Sequence, residues 1–296
     1  MNENLPSSKE RENQFKRFVV SEYLRYGSVD EVFRRNNYDI PISYPEVHRL
    51  IKRWGIIKSA GPNSLLSEAV TFLTLLSRDN IPLERLYKGL PPSFKTSVGT
   101  MHRLLHNIKE GIIRRVGTAL IISPEHNKYE ILMGEDVSTP RLELGKPFGS
   151  ITLPMGYSKE DEDPRDSILR VIQQEVFTNL AINRSLPIEI IPQKPTPFMF
   201  LDIADIRVTV YHIKLPGVLS GNDMFSSFKV RNHKYFSIPE LSGDGDKFNF
   251  RAGIREIGLG YQRYIEKQVE GKQIIPFIER CFINRSLAIS FSQEYI

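Results

Sequence analysis

Residues 153–178, LPMGYSKEDEDPRDSILRVIQQEVFT, decide the fold. The stretch reads as a strand end, an acidic loop and a helix. Asp163 stands at the N-cap and Pro164 at the first helical position, where a missing N–H is tolerated. Asp166 adds negative charge where the helix dipole favours it. Ile168, Ile172 and Val176 recur every four residues and form the stripe expected to be buried. Arg170, Val171, Gln174 and Glu175 then lie away from that stripe, toward the loop that begins at Gly156.

These residues resemble the Nudix box, the loop–helix of nucleoside-diphosphate-X pyrophosphohydrolases, with the pattern G-x5-E-x7-R-E-U-x-E-E-x-G-U (U, a bulky aliphatic). Gly156, Glu162, Arg170, Ile172 and Glu175 fall on matching positions. Val171 and Gln174 stand where the family has glutamates, Phe177 replaces the glycine and Thr178 the last aliphatic. The resemblance implies an αβα sandwich, catalytic roles for Glu175, Arg170 and Glu162, and a magnesium ion held by Glu175 and Glu162. Magnesium needs hard oxygen ligands, one or two carboxylates with substrate phosphates. Val171 offers none, and Gln174 offers one neutral carbonyl.

The flanks supply the rest of such a sandwich. By β-branched and aromatic content, 118–123 (TALIIS), 129–133 (YEILM), 198–203 and 207–213 read as strands. Residues 233–241 (HKYFSIPEL) resemble the family strand that ends in "EL", and 251–271 reads as a late helix. The tail from 274 (IIPFIERCFINRSLAISF) reads as an apolar helix or strand, a candidate homodimer surface or a cover for the core. The segment 135–148 (EDVSTPRLELGKPF) reads as a loop at the ligand mouth. Arg141 and Lys146 are its phosphate-facing candidates, with Gly156 and Gln174 completing a ligand-binding set. Asp223 is the only carboxylate between Gly217 and Pro239; Glu160, Asp161 and Asp223 are spare carboxylates for a metal.

At 296 residues the chain has room for about two domains. No run of eighteen apolar residues suggests a membrane span. The polar N-terminus (MNENLPSSKERENQ) lacks the pattern of a signal peptide, so a cytoplasmic location is expected. One cysteine, Cys281, excludes an intramolecular disulfide framework and a Cys-cluster zinc site. The net charge of +5 is uneven: residues 1–115 hold 19 Lys+Arg against 12 Asp+Glu, and the remainder 21 against 23. The basic excess is N-terminal, which points to a polyanionic partner there.

That basic half carries an internal repeat. VHRLIKRWGII (47–57) and MHRLLHNIKEGII (101–113) share His-Arg-Leu at an offset of 54. Each half reads as three helices, about 14–26, 29–36 and 44–54, then about 65–78, 82–88 and 97–110. Lys58 to Ser64 forms a turn-rich linker between them. Two such units resemble tandem helix-turn-helix modules, in which the last helix enters the major groove. The faces expected at double-stranded DNA are Tyr44, His48, Arg49, Lys52 and Arg53, then Thr100, Arg103 and Lys109. The plainer reading is a pair of helical bundles for dimerisation or docking, with Trp54 a core anchor.

The expected fold class is therefore α+β: two helix-turn-helix-like units (1–60 and 61–114) before a Nudix-like αβα sandwich with a mixed sheet (115–296). Two functions follow. One is a DNA-binding transcriptional regulator whose degenerate Nudix-like domain binds a nucleotide-type effector. The other is an active magnesium-dependent pyrophosphohydrolase with a nucleic-acid-binding extension. Neither calls for a membrane.

Overall fold

In a computed structural model of the chain, the residues described are 7–60, 115–141, 145–204, 206–242 and 248–283. The expected second helical unit lies outside them, with Thr100, Arg103 and Lys109. Three helices open the described chain: α1 (Ser8–Tyr26), α2 (Val29–Arg35) and α3 (Tyr44–Arg53). α1 starts well before the expected residue 14. Ser7 accepts a hydrogen bond from the Glu10 N–H, and the Glu10 carboxylate accepts one from the Ser7 N–H, a reciprocal cap. Gly27 ends the helix at φ 72°, where its N–H donates to the Tyr23 carbonyl, a left-handed position that favours glycine. Val20 and Leu24 of α1, Val32 and Phe33 of α2, and Leu50 and Ile51 of α3 close one core.

That core does not end with the helices. Ala181, Ile182 and Phe228 of the C-terminal body belong to it, so the N-terminal unit is docked. Trp54, expected as an anchor within its own unit, sits half-buried at this seam. Its indole N–H donates to the Ile182 carbonyl at 3.0 Å, and the Arg184 guanidinium lies 5.1 Å from the ring centroid. Trp54→Phe keeps an aromatic ring but removes the donor together with the pyrrole half of the indole. It is expected to lower unfolding stability by about 1 kcal/mol in urea denaturation; a wild-type midpoint would show that the seam does not depend on that bond.

Among the described residues the body contains eight strands: β1 (Arg115–Pro124), β2 (Glu130–Asp136), β3 (Ile151–Thr152), β4 (Met155–Ser158), β5 (Met199–Ile203), β6 (Ile206–Leu215), β7 (Val230–Ser237) and β8 (Phe277–Arg280). Its helices are α4 (Pro164–Glu175), α5 (Thr178–Asn183), α6 (Ile238–Ser242) and α7 (Ile254–Val269). A mixed five-stranded sheet runs β4-β1-β6-β5-β8, with β1 parallel to β6 and β5 parallel to β8. A smaller antiparallel sheet runs β3-β2-β7.

β1 is buried on both faces, which is why TALIIS is an apolar run and not an alternating one. Ala119 and Ile121 point into a core shared with Ile254, Ile257 and Tyr261 of α7. Leu120 and Ile122 point into another, shared with Ile168, Ile172 and Val176 of α4. One helix therefore covers each face, as an αβα sandwich requires, and the chain is α+β.

Three readings need correction. The 233–241 stretch is a strand followed by a short helix, because Pro239 has no N–H to give a ladder. The strand end before the box is two short strands, and the chain passes from the small sheet to the large one at Leu153-Pro154. β2 extends through Asp136, so the mouth loop begins later than expected. Of the tail, 277–280 is a strand beside β5, and the rest of it from 284 lies outside the described residues. Among the described residues no helix is long and apolar enough to cross a membrane.

Candidate ligand-binding site

The site is built on α4. Asp163 caps it by accepting from the Arg165 N–H at 2.7 Å, and Ile168, Ile172 and Val176 hold it to the sheet. The opposite face turns toward Gly156 as expected: a Cβ added there would meet Val171 at 3.8 Å. Yet Arg170, Val171 and Gln174 are also buried. The reason is the segment 55–59, expected in part as a linker, which lies across them. Gln173 donates to the Gly55 carbonyl at 2.8 Å and accepts from the Ile57 N–H at 3.0 Å. The Arg170 Nε donates to the Lys58 carbonyl at 2.9 Å, and the Gln174 amide donates to the Ser59 hydroxyl at 3.1 Å.

Between this segment and the sheet lies a cavity of about 410 Å³. It brings together six of the expected residues: Gly156, Arg170, Gln174, Glu175, Arg141 and Lys146. Glu162 is not among its walls. Its carboxylate, 8% exposed, pairs with the 3% exposed Arg170 guanidinium, which also donates to the Tyr157 carbonyl at 2.8 Å. Arg170 thus stitches box loop, strand and N-terminal unit together, and Glu162 is its counter-ion. Glu162, expected as a catalytic and metal-binding residue, is paired with Arg170 and stands outside the cavity walls.

Around Glu175 the polar groups are dense. Its carboxylate accepts from the Met155 N–H at 2.7 Å. The His233 ring and the Glu175 carbonyl hydrogen-bond at 2.7 Å. Burial pushes the Glu175 carboxyl up to about 7, against the pull of the nearby Lys229 ammonium. Lys229 donates to the Gln174 side-chain oxygen. Lys146 donates to the Ser138 hydroxyl and lies 3.2 Å from the Asp136 carboxylate, which Arg251 approaches at 3.7 Å. Burial lowers the pKa of both lysines; Glu175 and Asp136 oppose that shift.

These donors do not fit magnesium. Glu162 is taken by Arg170, and Glu160 and Asp161 are exposed in the loop. Asp223 lies in a tight turn and does not line the cavity. The two carboxylates left, Glu175 and Asp136, already face the ammonium groups of Lys229 and Lys146. Among the described residues no three or more His, Cys, Asp or Glu side chains group as a metal site.

Asp136, Ser138, Lys229 and Arg251 were not legible as site residues. Asp136 ends a strand as half of a Glu-Asp pair, which is a signal of sorts. Lys229 and Arg251 come from distant loops with no pattern to mark them. On the expected DNA face, His48, Arg49, Lys52 and Arg53 are exposed along α3, and Glu46 pairs with both arginines. Tyr44 is the exception. Its ring stacks on Phe33 with centroids 4.1 Å apart, which makes it a packing residue of the unit.

The order strand, strand, box loop and helix, strands, late helix, with one helix on each sheet face, is now complete. The C-terminal body is an αβα sandwich around a mixed sheet. Solved structures similar to part of this chain include the MutT protein of Methanosarcina mazei Go1, with 15% identity, a TM-score of 0.37, and coverage of 53% of this chain and 98% of that one. A mutT/nudix family protein from Listeria innocua has 16% identity and a TM-score of 0.37, over 54% of this chain and 99% of that one. An Ap4A hydrolase from C. elegans has 16% identity and a TM-score of 0.34, over 53% and 99%. No protein-family model matches the sequence, and no curated protein matches it.

Proposed function

We propose that this protein is a DNA-binding regulator whose Nudix-like domain holds a nucleotide-type ligand as an effector and not as a substrate. The observation that carries the reading is the shared wall of the cavity. Tyr26, Gly27, Ser28, Ser59 and Ala60 of the N-terminal unit meet Gly156, Gln174 and Glu175 of the body there. A ligand in that space touches both parts. It therefore binds differently when the docking changes, and differential affinity is what shifts a conformational equilibrium. The exposed row His48, Arg49, Lys52 and Arg53 supplies the basic face for a duplex. The donor set around Glu175, which does not fit magnesium, supports retention of a ligand over its cleavage.

Duplex binding by the full chain is expected to weaken steeply with salt. The pair Arg49→Ala with Arg103→Ala is expected to weaken it at least tenfold. Adding ADP-ribose is expected to change the duplex affinity without its being consumed. Unchanged affinity in the double variant would remove α3 from the interface. Magnesium-dependent release of product from ADP-ribose, lost in Glu175→Gln, would instead make the protein a pyrophosphohydrolase.

A further inference from the structure

Among the described residues the walls of the cavity are rich in cations. Arg141, Lys146, Arg170, Lys229 and Arg251 all line it. The described carboxylates that meet these cations are Glu162 on Arg170, Asp136 between Lys146 and Arg251, and Glu175 near Lys229. Three of the cations converge from different elements: Lys146 from the loop after β2, Lys229 from the approach to β7, and Arg251 from the approach to α7. Two of them have spare donors. The Arg251 Nε is buried and has no hydrogen-bond partner. The Lys229 ammonium, with three N–H groups, donates to one amide oxygen, that of Gln174. A buried donor left unmatched costs free energy until something accepts from it.

We infer that this cavity holds the phosphate groups of its ligand directly on Lys146, Lys229 and Arg251, with no divalent cation between protein and phosphate. The inference deepens the effector reading and rests on the same cavity. A phosphate brings several strong acceptor oxygens, which suit a guanidinium edge and ammonium points. It also brings negative charge to the point where Lys146, Lys229 and Arg251 converge. Burial holds the pKa values of Lys146 and Lys229 down, and an adjacent anion favours their charged forms. A divalent metal at Glu175 and Asp136 would have to displace those same ammonium groups. The positive charge that phosphate recognition needs is thus covalently part of the chain. The volume of about 410 Å³ lies within the range of small-molecule pockets.

The test is calorimetric titration of the full-length protein with inorganic pyrophosphate, once in excess EDTA and once in magnesium. Binding in EDTA at least as tight as in magnesium is expected. Lys229→Met and Arg251→Met are each expected to weaken it at least tenfold, while Lys229→Arg retains most of it. Far-ultraviolet circular dichroism checks that each variant is folded. Binding that needs magnesium and vanishes in EDTA would overturn the inference. So would EDTA-resistant binding that the folded Lys229→Met variant leaves untouched, or no binding under either condition. Pyrophosphate binding with no influence on duplex affinity would leave this site standing and sink the regulator.

Discussion

Replacing Arg170 by methionine is expected to destabilise the protein by about 3–5 kcal/mol, the cost of stranding one partner of a buried ion pair. Arg170 and Glu162 are 3% and 8% exposed, so Glu162 would keep its charge with little water to stabilise it. The same change removes donors to the Lys58 carbonyl at 2.9 Å and the Tyr157 carbonyl at 2.8 Å. Urea unfolding measures the loss. The second variant, Arg170→Met with Glu162→Leu, is expected to regain much of it, because replacing both partners by apolar groups leaves no stranded charge. If the single change were nearly neutral, or the double one worse than the single, the pair would not be the structural tie described here. A purely catalytic arginine would show a wild-type unfolding curve.

Glu175→Gln is expected to make stability rise with pH between pH 4.5 and 7, where the wild type is nearly flat. Burial raises the folded carboxyl from 4.5 to about 7. The folded state then keeps a proton that the unfolded chain has released, so stability falls as pH rises through this window. The full effect is about 3 kcal/mol at 1.36 kcal/mol per pKa unit. His212 does the opposite. Burial lowers its ring from 6.5 to about 4, with Lys214 and Lys128 adding to the shift. Its Nε2 lies 2.8 Å from the Ser123 hydroxyl and 3.0 Å from that of Tyr261, held as a neutral ring. Its contribution is complete above the unfolded value near 6.5 and is lost as pH falls through about 4, again about 3 kcal/mol. The two nearly cancel in the wild type. In Glu175→Gln the His212 effect is no longer offset, His233, whose pKa burial also lowers, acts in the same direction, and stability should rise with pH by about 3 kcal/mol relative to wild type. His212→Gln should show the mirror image. Variant and wild-type profiles that superimpose across the window would refute the assignment.

Much of the fold was legible in local signals. Asp163, Pro164 and the four-residue recurrence of Ile168, Ile172 and Val176 determined helix, start and buried face, because capping and periodicity act within a few residues. The run Thr118 to Ser123 was readable as a strand from its β-branched content, and the structure adds that both its faces are covered. The Ser7–Glu10 cap went unread, and the helix it starts begins earlier than apolar periodicity alone suggests. Gly156, Arg170, Gln174 and Glu175 were readable because a loop and helix place them together by spacing. Arg141 and Lys146 also reach the cavity, from a loop recognisable by composition.

Only the tertiary structure decided which charges meet. Whether Glu162 serves a metal or Arg170 depends on where the acidic loop folds back, and its pairing with Arg170 removes it from the cavity. Lys229 and Arg251 arrive by long-range closure of two loops, and Asp136 becomes a site residue because β2 ends beside them. The docking of residues 54–59 onto α4 spans more than a hundred positions of sequence and turns a basic helical unit into a wall of the site. Local sequence sets periodicity and caps, which are short-range properties. The chemistry of this cavity depends on burial and on the pairing of distant charges, and those exist only once the chain has closed on itself.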